Sequence, residues 1–173
     1  SASRLDDTDD RATPVRPNPT TTHTRGSNSA TITTDPTTGR PISGQATIRE
    51  DFGATKRGDN ATEIGRTYGI EGDQGGHMFA HRFFKDSPDH SIVPQAGNLN
   101  TGAWKKMENE WADWIKYGDA NNKNIEIDIN YDIDPPGAAR PDRFEGEYRV
   151  YEVDADGNRS LLHEQVIDMA NQP

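Results

Sequence analysis

The segment Gly72–Glu108 reads GDQGGHMFAHRFFKDSPDHSIVPQAGNLNTGAWKKME, and its two ends carry different signals. Near the start two glycines precede His77, so the backbone there can accept close approaches that a Cβ would forbid. A histidine in that setting, with Asp73 just before it, is suited to proton abstraction near neutral pH. A loop histidine that merely makes hydrogen bonds would look the same, and an isolated Gly-Gly-His favours that plainer reading.

The far end runs into the clearest helix of the chain, 101–117 (TGAWKKMENEWADWIKY). Trp104, Met107, Trp111, Trp114 and Ile115 share one face, and Gly118 is placed to end the helix. Glu108 falls at the border of this apolar stripe, while Lys105, Lys106, Asn109 and Asp113 fall opposite. If the helix begins at Asn100, that residue also projects inward. A carboxylate turned toward the interior needs a partner, and no lysine of this helix shares its face. A hydrated metal ion would serve. Asn100 and Glu108 would lie about 12 Å apart along the axis, which suits Asn100 as direct ligand and Glu108 as a holder of water around the ion. A glutamate snorkelling from the stripe edge is an equal alternative on the wheel alone.

Outward from this segment, short strands are expected at Ser29–Thr34 and Ile42–Arg49, joined by the turn-rich Asp35-Pro36-Thr37-Thr38-Gly39. Residues 50–76 read as irregular, with a strand near Glu63–Thr67, and another short strand is expected at Ser91–Val93. Beyond the helix, Ile125, Ile127, Ile129, Tyr131 and Ile133 alternate with Glu126, Asp128, Asn130, Asp132 and Asp134, the signature of a half-buried strand. Arg143–Val153 and Ser160–Asp168 read as a hairpin around Asp154–Asn158. Residues 1–28, rich in Pro, Thr, Asp and Arg without an apolar period, read as a flexible leader to a single domain over 29–173. The expected class is α+β, a mostly antiparallel sheet with one principal helix.

Composition narrows the function. The chain has 173 residues and no cysteine, which excludes disulfides and thiolate metal sites. No apolar run is long enough to be a transmembrane helix, so no membrane partner is expected. A net charge of −10 opposes groove-reading of DNA, which relies on neutralising phosphates. Residues 119–173 carry five basic and thirteen acidic side chains, however, so most of the acid lies away from the Gly72–Glu108 segment. The acidic face of 126–134 is read as solvated, or else as a surface for a basic partner. His77 and His81 have a spacing that can bind zinc on a helix, but the glutamate of that motif is missing, and His81 reads as structural or substrate-facing.

The segment 72–118 closely resembles the DNA/RNA non-specific endonucleases of the ββα-metal (His-Me finger) superfamily. Three ordered pieces carry the resemblance: Gly72-Asp73-Gln74-Gly75-Gly76-His77, Ser91-Ile92-Val93-Pro94-Gln95, and Leu99-Asn100-Thr101-Gly102-Ala103-Trp104 with Glu108. Arg140-Pro141 ahead of a strand pair is similar to the family as well. The resemblance implies a strand pair carrying His77 as general base, with Asp73 beside it, followed by a helix whose start carries Asn100 as ligand of one Mg²⁺, with Mn²⁺ able to substitute. Glu108 would orient water in that ion's shell. A cation should assist the reacting phosphate. Gly75 stands where some members have an arginine, so Arg66, Arg82 and Arg57 are the candidates, with Arg66 preferred. Ser91-Ile92 departs from the family's Asn-Leu, which suggests a missing polar group near the metal. Gln74 replaces an acid, a change expected to matter less because Asp73 remains.

The implied activity is hydrolysis of phosphodiester bonds in DNA, with RNA a second substrate, and little sequence preference. Members of this branch often form the C-terminal toxin of larger secreted or injected bacterial proteins. Such a toxin acts in the cytoplasm of a target cell and needs a cognate immunity protein, to which 119–173 would offer an acidic surface. The start at Ser1 suits an excised piece of that kind. The rival expectations are a free-standing secreted nutritional nuclease and a catalytically weak, nuclease-derived binding module.

Overall fold

Alternating hydrophobicity governs the second half of the chain, and the computed structural model, which describes residues 17–53 and 60–173, turns it into long strands. Strands β1 (Thr20–Arg25), β2 (Asn28–Thr34), β3 (Pro41–Ile48), β6 (Asn124–Asp134), β7 (Arg143–Val153) and β8 (Arg159–Ala170) form one six-stranded sheet in the order β1-β2-β3-β6-β7-β8. Every neighbouring pair in it is antiparallel. A separate antiparallel pair, β4 (Asp73–His77) and β5 (Ile92–Ala96), sets Gly75 opposite Pro94 and His77 opposite Ile92. Helices α1 (Ala61–Tyr68), α2 (His81–Phe84), α3 (Gly97–Thr101) and α4 (Ala103–Ala120) complete the fold, with a short 3-10 turn at Asp89–Ser91. The result is α+β and mostly antiparallel with one principal helix, as the sequence suggests. Among the described residues no helix is long and apolar enough to cross a membrane.

The core lies between one face of the large sheet and α4. Ile125, Ile127, Ile129, Tyr131 and Ile133 are buried along β6, and Trp104, Met107, Trp111 and Ile115 come down from α4. Burying an isoleucine such as Ile127 contributes on the order of 1.5–3 kcal/mol. Rings lock the layers: Trp104 meets Phe144 at 5.0 Å and Tyr131 at 5.3 Å, and Trp111 meets Tyr148 edge-on at 5.8 Å. The Tyr131 hydroxyl donates to the Met78 carbonyl at 2.7 Å, which ties the sheet to the residue after His77.

Four local expectations change. The stretch Glu63–Thr67 is helical rather than a strand, because Ala61, Ile64 and Gly65 form one buried face at helical spacing. The principal helix does not begin at Asn100: the backbone breaks at Gly102 (φ −105°, ψ −108°), leaving Asn100 on the short α3. A Cβ at Gly102 would lie 2.3 Å from the Asn98 carbonyl oxygen, so this kink requires glycine. Gly118 does not end α4. It is buried inside the last turns, where a Cβ would meet the Lys123 carbonyl at 2.7 Å and Ile125 at 2.5 Å. Finally, β1 occupies Thr20–Arg25 inside the stretch read as a leader, so the fold begins before residue 29. Its run of β-branched threonines pairs with β2 over six positions. Residues 1–16 of that expected leader lie outside the described residues.

Candidate active site

The site is assembled from β4, α2, α3 and the first turns of α4. Both glycines before His77 are demanded by packing. A Cβ on Gly75 would stand 1.7 Å from the Ala61 carbonyl oxygen of α1, and one on Gly76 would stand 2.2 Å from Oε1 of buried Gln95. Neither has a left-handed backbone, so close approach, the reason anticipated for Gly-Gly, is what requires them. His77 then leaves the end of β4 with only 6% of its surface exposed. Its ring centroid lies 6.1 Å from that of His81, and the two rings meet edge to face.

His77, Asn100 and Glu108 line one cavity of about 310 Å³, together with His81, Arg82 and Lys105, so the expectation that no lysine of the helix lies on the Glu108 side does not hold. Three residues named from sequence are thereby brought together from β4, α3 and α4. Asn100 donates its amide Nδ2 to Gln74 Oε1 at 2.7 Å, which fixes the amide and leaves Oδ1 as the end turned away from Gln74. Glu108 is half-buried, in keeping with its position at the stripe edge. Its charge is felt on the core side: burial first, and then Glu108, push the Tyr131 hydroxyl well above its ordinary pKa. His81 Nε2 sits 3.2 Å from Asp86 Oδ1, so this second imidazole is oriented by a carboxylate while it faces the cavity.

The remaining site candidates sort differently. Asp73 does not line the cavity. Its carboxylate takes Arg140 Nε at 2.6 Å and Nη2 at 3.0 Å, and also accepts the Ile70 amide at 2.9 Å. Burial alone would raise the Asp73 carboxyl. The Arg140 hydrogen bond, the Ile70 amide and the Arg140 charge together hold it below its ordinary value. Strand geometry puts Asp73 about 13 Å from His77, so Asp73 anchors the start of the β4–β5 pair and does not reach the imidazole. Arg140 also reaches the Asn171 carbonyl at 3.1 Å, giving the Arg140-Pro141 motif a structural task.

Arg66 is exposed on α1 and does not line the cavity, so the sequence-based preference for it is corrected. Arg57 lies outside the described residues. Arg82 is the described arginine at the cavity, held by Asp51 through Nε at 2.9 Å and Nη2 at 2.7 Å. Ser91 is buried and gives its hydroxyl to the Pro88 carbonyl at 3.0 Å, so this departure from the motif does not open the cavity wall. Gln74 matters more than the sequence suggested, since it is the residue that holds Asn100.

The oxygen donors at the cavity fit a divalent cation of the magnesium type. Among the described residues no group of three or more His, Asp or Glu side chains could cage a metal. One amide oxygen and a nearby carboxylate, with open volume for water, match the reluctance of Mg²⁺ to dehydrate.

The family model for DNA/RNA non-specific endonucleases matches residues 20–152, and the chain belongs to that family of nucleases. The match starts at the first residue of β1, in agreement with the earlier start of the fold. Among solved structures the chain is similar to NucA from Streptococcus agalactiae with magnesium ion bound. That likeness has a TM-score of 0.52 at 15% identity, over 83% of this chain and 70% of that one, and it concerns the fold.

Proposed function

We propose that this protein is a Mg²⁺-dependent, non-specific endonuclease of the ββα-metal (His-Me finger) kind, with DNA as its preferred substrate and RNA as a second. One observation carries the reading: His77, Asn100 and Glu108 converge on a single cavity from three separate elements of a nuclease-family fold. His77 takes a proton from the attacking water, and the packing that buries it also fixes its ring. Asn100 Oδ1, oriented through Gln74, would hold the cation, and the Glu108 carboxylate would orient water in the ion's shell. When bound there, such an ion supplies Lewis-acid charge to the phosphate, and Mn²⁺ can replace it.

The setting we propose is a toxin domain of a secreted or injected bacterial effector that acts in the target cytoplasm and is neutralised by an immunity protein. The family supports this only through its activity. The acidity of 119–173 supports a docking role less than it first suggests. Glu126, Asp128, Glu152, Glu164 and Asp168 are all engaged by arginines or a lysine on or beside the strands of the sheet.

Nicking of supercoiled plasmid in Mg²⁺, with and without chelator, tests the proposal. Cleavage should vanish with chelator, and Asn100→Ala should need at least about tenfold more Mg²⁺ to reach half-maximal rate. Cleavage that survives chelation, or an unchanged Mg²⁺ requirement in the variant, would remove the metal from the account.

A further inference from the structure

Asn100 stands half-buried on the cavity wall, on the short helix α3 that ends at the Gly102 break. Buried Leu99 fixes that helix to the core, but it does not choose which end of the neighbouring amide faces the cavity. The choice matters, because Oδ1 can bind a cation while Nδ2 carries two donor hydrogens that repel one. The terminal torsion of an asparagine is broad and roughly two-fold, so its two ends exchange unless a partner tells them apart.

Gln74 is that partner. It lies on β4, the strand that also carries His77, and its side chain is exposed and runs along α3. Its Nε2 is the nearest atom to where a Cβ on Gly97 would stand, at 3.5 Å, and its Oε1 accepts Asn100 Nδ2 at 2.7 Å. Among the described residues this is the one hydrogen bond of the Asn100 side chain. While Gln74 presents its oxygen, Asn100 gives its nitrogen to β4 and keeps Oδ1 for the cavity. A carboxylate in place of Gln74 could only accept, and would hold Asn100 in that sense alone. A glutamine can turn over, present Nε2 to Oδ1 and leave Nδ2 for the cavity.

We propose that Gln74 is a positioning residue that sets the affinity of the site for its divalent cation, by holding Asn100 with Oδ1 kept for the cavity. This rests on the metal-dependent nuclease reading given above. Gln74 acts through Asn100, and its neutral amide holds the ligand more loosely than a carboxylate would.

The test uses Gln74→Met, which removes the hydrogen bond at similar side-chain length, and Gln74→Glu, which leaves an acceptor that cannot turn over. Mn²⁺ binding without DNA, read by electron paramagnetic resonance of the free ion, should weaken about tenfold in Gln74→Met. It should tighten in Gln74→Glu. In saturating Mg²⁺ the kcat of Gln74→Met should recover to within about threefold of wild type. The Tm without metal should not move, because the side chain is exposed. The added charge of Gln74→Glu also attracts a cation, so both substitutions are repeated on Asn100→Ala. There the Mg²⁺ concentration for half-maximal cleavage should change by less than about twofold. Wild-type Mn²⁺ affinity in Gln74→Met, weaker affinity in Gln74→Glu, or equal effects with and without Asn100 would overturn the role of Gln74 while leaving a metal-dependent nuclease. A wild type that binds no Mn²⁺ would overturn the metal reading and Gln74 together.

Discussion

The six-stranded sheet and the β4–β5 pair with its helices hold their places by different means. In the sheet, β6 and β7 run eleven residues each and pair without interruption, and alternate side chains supply the contacts. Around the cavity, β4 and β5 are five residues long, α3 is another five, and the close contacts are made by backbone. Gly75 lies under Ala61, and Gly65 of α1 lies on the Gln74–Gly75 peptide, where a Cβ would be 2.6 Å from the Gly75 nitrogen. Single polar side chains do the tying. Asn171, 1% exposed, holds the Ala96 amide and the Pro94 and Pro141 carbonyls, and so fastens β5 to the end of the chain. Stability is spread over many apolar residues in the sheet and concentrated in a few glycines and polar clamps around the site.

If that contrast is right, the two parts can be separated by substitution. The largest effect is expected from Gly75→Ala. The added methyl must push α1 away from β4, at a cost of about 1–3 kcal/mol or more, and β4 carries His77. Cleavage should fall at least about a hundredfold while the far-UV circular dichroism of the sheet is retained. Full activity in this variant would show that the glycine contact does not position the base.

A smaller effect separates the anchor from the chemistry. Asp73→Asn leaves the part-buried Arg140 without its carboxylate and should destabilise the protein by about 3 kcal/mol at pH 7. Because the folded Asp73 carboxyl sits below its unfolded value of 3.8, its contribution is present above that pH and is lost as pH falls through the folded value. Thermal unfolding from pH 7 to 3 should therefore show the wild type losing more stability than the variant, with the gap closing in acid. A gap independent of pH would mean that Asp73 is not charged in the folded protein. At neutral pH the folded variant should cleave at a near wild-type rate, and a severe loss in kcat would return Asp73 to the catalytic set.

The same contrast explains what could be read from sequence. The strand β6 was legible because alternation over many residues is a statistical signal that burial enforces, and β7 and β8 were legible from the turn residues Asp154–Asn158 between them. His77, Asn100 and Glu108 were legible as residue types in a motif, although the straight helix first used to relate Asn100 to Glu108 does not exist. The break at Gly102 was hidden because a glycine beside a strong helical pattern reads as a tolerated weakness rather than a kink. The helix α1 was hidden because its buried face is only Ala61, Ile64 and Gly65, and two of those are too small to make a period visible. Nothing local marks Gln74 as the partner of Asn100, or Asp51 as the partner of Arg82, since each pair is long-range in sequence. A cation facing the cavity was anticipated, but only the tertiary arrangement separates Arg82 and Lys105 from Arg66.

The central claim is that His77, buried at the end of β4, performs the proton transfer. His77→Ala, assayed for plasmid nicking in Mg²⁺ beside its melting curve, tests it directly. The account predicts a loss of at least about a thousandfold in rate with the sheet still folding cooperatively. A folded His77→Ala protein that nicks plasmid at the wild-type rate would contradict it.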